Sequence, residues 1–244
     1  MDIIKRIFLV AVGLISCSSS VLADEYTFAS LANHPEQTIS GKIMTEIYGQ
    51  LGYAIEVIPL PGLRAQSAAN SGKVAGEVAR IWEYGDQTPN VIRVPTAYYS
   101  LKTVGYALSN SGIKVNNKEE LSQYKVVIIR GVKHTAGITR DMKKSSIEIV
   151  DSPESMMQYV SNGQAQISLT NSLLGSILVK QLGENKMELV GPSLAQLGLY
   201  HYIHKDHAEL VPIINQKIIE LRDSGELDTM IAKYEADVLS NWSK

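Results

Sequence analysis

The feature that most constrains this chain is an alternation of extended and helical segments that runs twice along its length. In the first run, residues 26–31, 54–60 and 74–81 have strand patterning. Between them, residues 36–51 place Ile39, Ile43, Ile47 and Leu51 on one helical face, stopped by Gly52, and Pro61-Gly62 opens a short helix through Asn70. In the second run, residues 125–130 form a near-continuous apolar segment, Val126-Val127-Ile128-Ile129, which suits a strand covered on both faces. Residues 147–150, 165–170 and 187–190 are further strands. Helices are expected at 118–123, from about Thr135, from Pro153 to Asn162-Gly163, and over 172–182. Residues 91–94, 103–108 and 199–204 are extended. Two helices close the chain: 209–222, with Leu210, Ile214, Ile218 and Leu221 on one stripe and Pro212 in its first turn, and 226–234. Such alternation predicts parallel sheets with helical cover, an α/β class in two lobes. The crossings are expected near Gly105-Tyr106 and Gly198, giving lobes of 24–105 plus 198–244 and of 106–197. Ligands of open α/β sheets sit at the carboxyl ends of strands, and between two lobes those ends make a cleft.

The first 23 residues look like an address rather than part of this fold. Lys5 and Arg6 precede an apolar run over 7–15, and Val21-Leu22-Ala23 supplies a small-residue ending, the layout of a secretory signal with cleavage after Ala23. The run is too short to span a bilayer, which takes about 20 apolar residues. Leu14-Ile15-Ser16-Cys17 also resembles a lipobox, which would make Cys17 a lipidated terminus. A soluble periplasmic product is preferred, because cleavage after Ala23 leaves only Asp24 and Glu25 before the first strand.

Charge and cysteine content narrow the function classes. With 23 basic and 25 acidic residues the net charge is −2, and no basic excess points to nucleic acid or an anionic membrane. Cys17 is the only cysteine, so an intrachain disulfide is impossible and no thiolate metal cluster is expected. His201, His204 and His207 suggest a metal, but successive side chains of an extended segment alternate faces. They are expected to be exposed strand and turn histidines, and neither metal nor cofactor is expected. The chain has no phosphate loop, no G-x-G-x-x-G, no H-E-x-x-H and no G-x-S-x-G elbow. Glu77 and Glu83 are the only carboxylates near the expected cleft for acid–base work, so no catalytic residue is assigned and an enzyme is not expected.

Several segments, taken in order, resemble a known family. They are Gly72-Lys73-Val74-Ala75-Gly76, Pro95 with Tyr98-Tyr99, the strand and glycine turn of 125–131, Asn162-Gly163-Gln164-Ala165-Gln166, and Leu221-Arg222-Asp223-Ser224-Gly225-Glu226-Leu227. With the export signal, they make 24–236 similar to the family 3 extracellular solute-binding proteins, the periplasmic components of polar amino-acid uptake systems. The resemblance implies a Type II periplasmic-binding fold, hinged closure on a small ligand, and delivery of that ligand to an inner-membrane ABC permease. A monomer is expected. A sensor feeding a membrane receptor or kinase is the alternative, and an enzyme on the same fold a third reading. The resemblance further implies an arginine for the ligand carboxylate and an acid for its ammonium. At the acid's position this chain has Asn171, and after the glycine turn Val132-Lys133 replaces a Ser/Thr pair.

The expected ligand-binding residues follow from strand ends. Arg80 ends the third strand, and its planar fork suits a carboxylate. Trp82 and Tyr84 follow with flat faces for a ligand or cation. Arg64 lies at a helix start after a strand, where anions are favoured. Arg130, His134 and Thr135 surround the turn into the next helix, whose backbone N–H groups could hold an anion. Asn171 ends its strand and is also positioned as an ordinary helix cap.

Overall fold

The computed structural model describes residues 25–183 and 186–242. The expected signal segment and Cys17 lie outside the described residues. The first run is β1 (Glu25–Leu31), α1 (Pro35–Gln50), β2 (Ala54–Leu60), α2 (Gly62–Asn70) and β3 (Gly76–Arg80). A 3-10 turn over Trp82–Gln87 then leads to β4 (Val91–Arg93) and β5 (Tyr99–Leu108). The second run, after a 3-10 turn over Lys118–Gln123, is β6 (Val126–Ile129), α3 (Lys133–Ile138), β7 (Ile147–Val150), α4 (Pro153–Ser161), β8 (Ile167–Asn171), α5 (Ser172–Leu182) and β9 (Met187–Leu189). The chain closes with β10 (Ala195–His204), α6 (Leu210–Ser224) and α7 (Glu226–Asn241).

Local chemistry explains the helix ends. Ser152 caps α4 through its side chain and Pro153 occupies the first turn, where its missing N–H costs nothing. Gly225 ends α6 in the left-handed region at φ 79°, which glycine adopts without penalty.

The strands run in the order β2-β1-β3-β10-β5-β8-β6-β7, with β4 added to β10 and β9 to β5. Strands β2, β1 and β3 are parallel, as are β8, β6 and β7. The two long strands join these groups. Strand β10 runs antiparallel to β5 over Ala195–Leu199 and antiparallel to β3 and β4 over Tyr200–His204. Strand order reverses between β1 and β3 and again between β6 and β8. At such switch points the chain leaves neighbouring strands in opposite directions and opens a crevice at their carboxyl ends.

Each group buries its own core. On one side Phe28, Val78 and Ile203 pack under the α1 stripe of Ile39, Ile43 and Ile47 and the α6 stripe of Ile214, Ile218 and Leu221. On the other, Val104 and Val127 meet Met156, Met157 and Val160 of α4 and Leu178 of α5. Gly76 sits where β3 meets β10. Its φ is 151°, and a Cβ there would lie 1.9 Å from the Tyr202 carbonyl oxygen, so the sheet join requires glycine.

Three expectations change. Strands β5 and β10 begin four residues earlier than their patterning suggests, at Tyr99 and Ala195, because their early halves pair with each other. Helix α7 continues to Asn241, held against α1 by buried Val238 and by the Lys42–Asp237 ion pair. His201 and His204 are buried, not exposed: their strand lies in the middle of the sheet, covered on both faces. Among the described residues no group of three or more His, Cys, Asp or Glu is arranged to hold a metal, and no helix is long and apolar enough to cross a membrane.

Candidate ligand-binding site

The β1/β3 crevice is built by one glutamine. Gln37, in the first turn of α1, accepts from the Leu31 N–H at the end of β1 and donates to the Ala79 carbonyl near the end of β3. This fixes the start of α1 over both strand ends and brings His34, which lies 3.4 Å from Glu36, within the field of Arg80. Arg80 itself donates through Nε to Glu77 at 2.5 Å and through Nη2 to the Gly62 carbonyl at 3.2 Å, tying the β3 end to the start of α2. Glu77 is fully buried and also accepts from the Tyr84 hydroxyl. Burial and this hydrogen bond to a carboxylate both push the Tyr84 phenol up. Arg80 is therefore held rigidly, with Glu77 balancing its charge and the Tyr84 ring 4.6 Å below its guanidinium.

The remaining expected residues of this lobe fall into two groups. Tyr84 is buried, packed edge-on against Tyr202 with ring centroids 5.0 Å apart, so it supports Arg80 from beneath. Trp82 is half exposed, and its ring stacks on the Arg93 guanidinium at 3.1 Å, edge-on to Tyr200. Arg64 is exposed at the start of α2, with no side-chain partner among the described residues.

Facing elements come from β6, β8 and β5. Arg130 is exposed and pairs with Asp151 at 2.7 Å. Gly131, at φ 80°, turns the chain into α3. His134 is half-buried, with Nδ1 2.8 Å from the Thr103 hydroxyl on β5. Burial lowers its pKa and the negative charge of Glu36 partly offsets this, so the start of α3 and the start of α1 share one electrostatic environment. Thr135 is buried, and its hydroxyl donates to the Val132 carbonyl. Asn171 is the helix cap: its Oδ1 accepts from the Leu174 N–H at 2.8 Å, which leaves the Nδ2 donor, not the acceptor, for anything in the crevice.

The structure thus brings His34, Glu36 and Arg80 together at one switch point and places His134 and Thr103 across from them. His34, Glu36, Tyr99 and Thr103 are absent from the residues expected from sequence. An acid in a first helical turn looks like an ordinary complement to the helix dipole, and no spacing distinguishes this one. A groove of about 450 Å³ lies between α1, β1, β2 and α7, lined by Ser30 and Gln37 near the end of β1 and by Lys42, Glu46 and Tyr234 farther along. There the Lys42–Asp237 and Tyr234–Glu46 contacts satisfy the charges among themselves.

No family model matches the chain. A protein of Shewanella oneidensis, itself described as uncharacterized, is 26% identical over 238 residues, covering 88% of this chain and 89% of that one. Among solved structures, the periplasmic VFT2 domain of Bordetella pertussis BvgS is similar at a TM-score of 0.62 and 17% identity, covering 86% of this chain and 93% of that one. An ancestral arginine-binding protein bound to arginine gives a TM-score of 0.60 at 18% identity, covering 86% and 97%. A histidine kinase sensor domain with similarity to periplasmic binding proteins gives 0.61 at 14%, covering 87% and 96%. The chain has the two-lobe α/β fold of periplasmic binding proteins.

Proposed function

We propose that this chain is an exported solute-binding protein of the family 3 type, which captures a small polar metabolite, an amino acid or related compound, between two lobes in the periplasm. In this reading the lobes are 24–105 plus 198–244 and 106–197, joined through β5 and β10, and signal cleavage follows Ala23. The observation that supports it is the presence of two topological switch points, β1/β3 and β6/β8, in one sheet. Arg80 and the first turn of α1 stand at one, and the α3 turn and Asn171 at the other, so a ligand can be gripped from both sides. Arg80, Arg64 and the N–H groups opening α3 supply donors for a carboxylate, with Arg130 and Thr135 beside that turn. Trp82 offers the flat face at the rim, while Tyr84 acts beneath Arg80.

Delivery to an ABC-type importer is the preferred physiological role. The likeness to sensor domains supports a second reading, in which closure reports ligand to a membrane kinase. Calorimetry of the purified protein against amino acids, organic acids and polyamines tests the binding itself. The expected result is saturable one-to-one binding of at least one metabolite, raising thermal stability by about 2.7 kcal/mol at a hundredfold excess over Kd. Absence of binding across the panel would refute the proposal.

A further inference from the structure

Helix α5 faces two ways. By chain order and by packing it belongs with β6 and β8: Leu178 lies in their core, and Leu174, Val179 and Leu182 pack against it. Gly175 lets the helix sit directly on β5, since a Cβ there would lie 2.1 Å from the Tyr106 ring. Yet Leu173 and Ile177, one turn apart on a neighbouring stripe, are buried in the other core, the one that holds Val78, Ile203 and Ile214. A helix that is apolar on both flanks has to be covered on both flanks.

Helix α7 meets the second stripe. It lies antiparallel to α1, with Gln50 bonded to Glu226, Glu46 to Tyr234 and Lys42 to Asp237. Its last turns therefore run toward the start of α1, and there they touch α5. Val238 is buried in the core that receives Ile177, and Leu239 and Trp242 pack against that core. Lys180, an exposed residue of α5, donates through Nζ to the Leu239 carbonyl at 3.3 Å. The last carbonyls of a helix lack partners within it and carry the negative end of its dipole. Helix α7 has no basic residue in its own last turn, so α5 supplies the cation. Tyr99, at the start of β5, holds the same stretch of α7, its hydroxyl donating to Glu235 at 2.9 Å.

We propose that the α5–α7 contact is a third connection between the lobes, beside β5 and β10, and that it fixes their spacing in the free protein. Two strands by themselves leave a hinge free to bend and twist. Parting α5 from α7 would expose Ile177 and Leu239 to water and strip the Leu239 carbonyl of its cation, so the seam opposes motion about that hinge. Ile177, Lys180 and Leu239 are not among the expected ligand contacts. They act on the population of lobe arrangements, and through it on any binding that needs one arrangement. The inference goes beyond the solute-binding reading and is tested without a ligand.

The test is a distance measurement between spin labels by double electron–electron resonance. In a Cys17→Ser background, which leaves no native cysteine, labels are placed at Glu56→Cys on β2 and Lys143→Cys beyond α3, both exposed. The free protein with an intact seam should give a single narrow distance. Lys180→Met with Leu239→Ala, one exposed and one half-buried position, should replace it with a broad distribution, and a chain ending at Asp237 should broaden it further. Circular dichroism identifies which variants remain folded, and the double variant decides if the shortened chain does not. Gln50→Ala breaks an α1–α7 contact within one lobe and should keep the narrow distance. An unchanged distribution in the folded double variant would overturn the proposal, as would a broad one with the seam intact. Equal broadening in Gln50→Ala would overturn it too, because loosening α7 anywhere would then have the same effect.

Discussion

His201 makes stability depend on pH in a way that can be calculated. It lies fully buried in the middle of β10, and its ring stands 4.7 Å from Phe28. Nδ1 is 2.9 Å from the Glu77 carbonyl and Nε2 is 3.0 Å from the Tyr48 hydroxyl. A carbonyl can only accept, so Nδ1 carries the proton, and neutral Nε2 accepts from Tyr48. Burial penalises the charged imidazolium and lowers the pKa from 6.5 to about 4, with the two backbone carbonyls opposing the shift. A histidine depressed in the fold is neutral there, while the unfolded chain takes up a proton below its ordinary pKa. Stability is therefore whole above about pH 6.5 and is lost as pH falls toward about 4. The full difference is worth about 3 kcal/mol, of which about 2 kcal/mol disappears between about pH 7 and about pH 4.5. Urea unfolding at both pH values measures it. His201→Asn keeps a donor near the Glu77 carbonyl but cannot titrate. It should be less stable at neutral pH by about 1–3 kcal/mol, the cost of leaving the Tyr48 hydroxyl unpaired, and about 2 kcal/mol less sensitive to acid. His134, also lowered, and His34, raised by its hydrogen bond to Glu36, act in opposite senses and remain in both proteins. The difference between the two proteins thus isolates His201, and an equal loss on acidification in both would refute the reasoning.

Two further predictions concern the frame of the site. Gly76→Ala should destabilise the protein by more than about 3 kcal/mol or prevent folding, because a methyl group 1.9 Å from the Tyr202 oxygen must break the β3–β10 join at an already glycine-only φ; a melting temperature near wild type would contradict this. Glu77→Gln should cost about 2–4 kcal/mol by denaturant unfolding, since it leaves the partly buried Arg80 guanidinium without its counter-charge, and a neutral effect would mean that Arg80 turns out to solvent freely.

Much of the fold was legible because it rests on local periodicity. The α1 and α6 stripes, the Val126-Val127-Ile128-Ile129 strand, the Ser152-Pro153 helix start and the Asn171 cap position all depend on residues within a few positions of one another. Strand extents were less legible where pairing partners are far away. Leu197 is extended because it lies beside Leu101, which no window of either segment reveals. The histidines were misread for the same reason: alternation tells which face a side chain takes, but not that both faces of β10 are covered.

The site divides along the same line. Strand ends such as Arg80, Arg130 and Asn171 can be found by counting along the chain, because the carboxyl end of a parallel strand is where an α/β crevice opens. Their electrostatic state cannot be found that way. Whether Arg80 is free or matched depends on Glu77 and Tyr84 turning inward beneath it. By itself the sequence determined an α/β chain with two alternating runs and charged or polar residues at strand ends. Tertiary structure decided which charges are spent and which remain, because burial and counter-charge arise only when the strand order folds distant segments against each other.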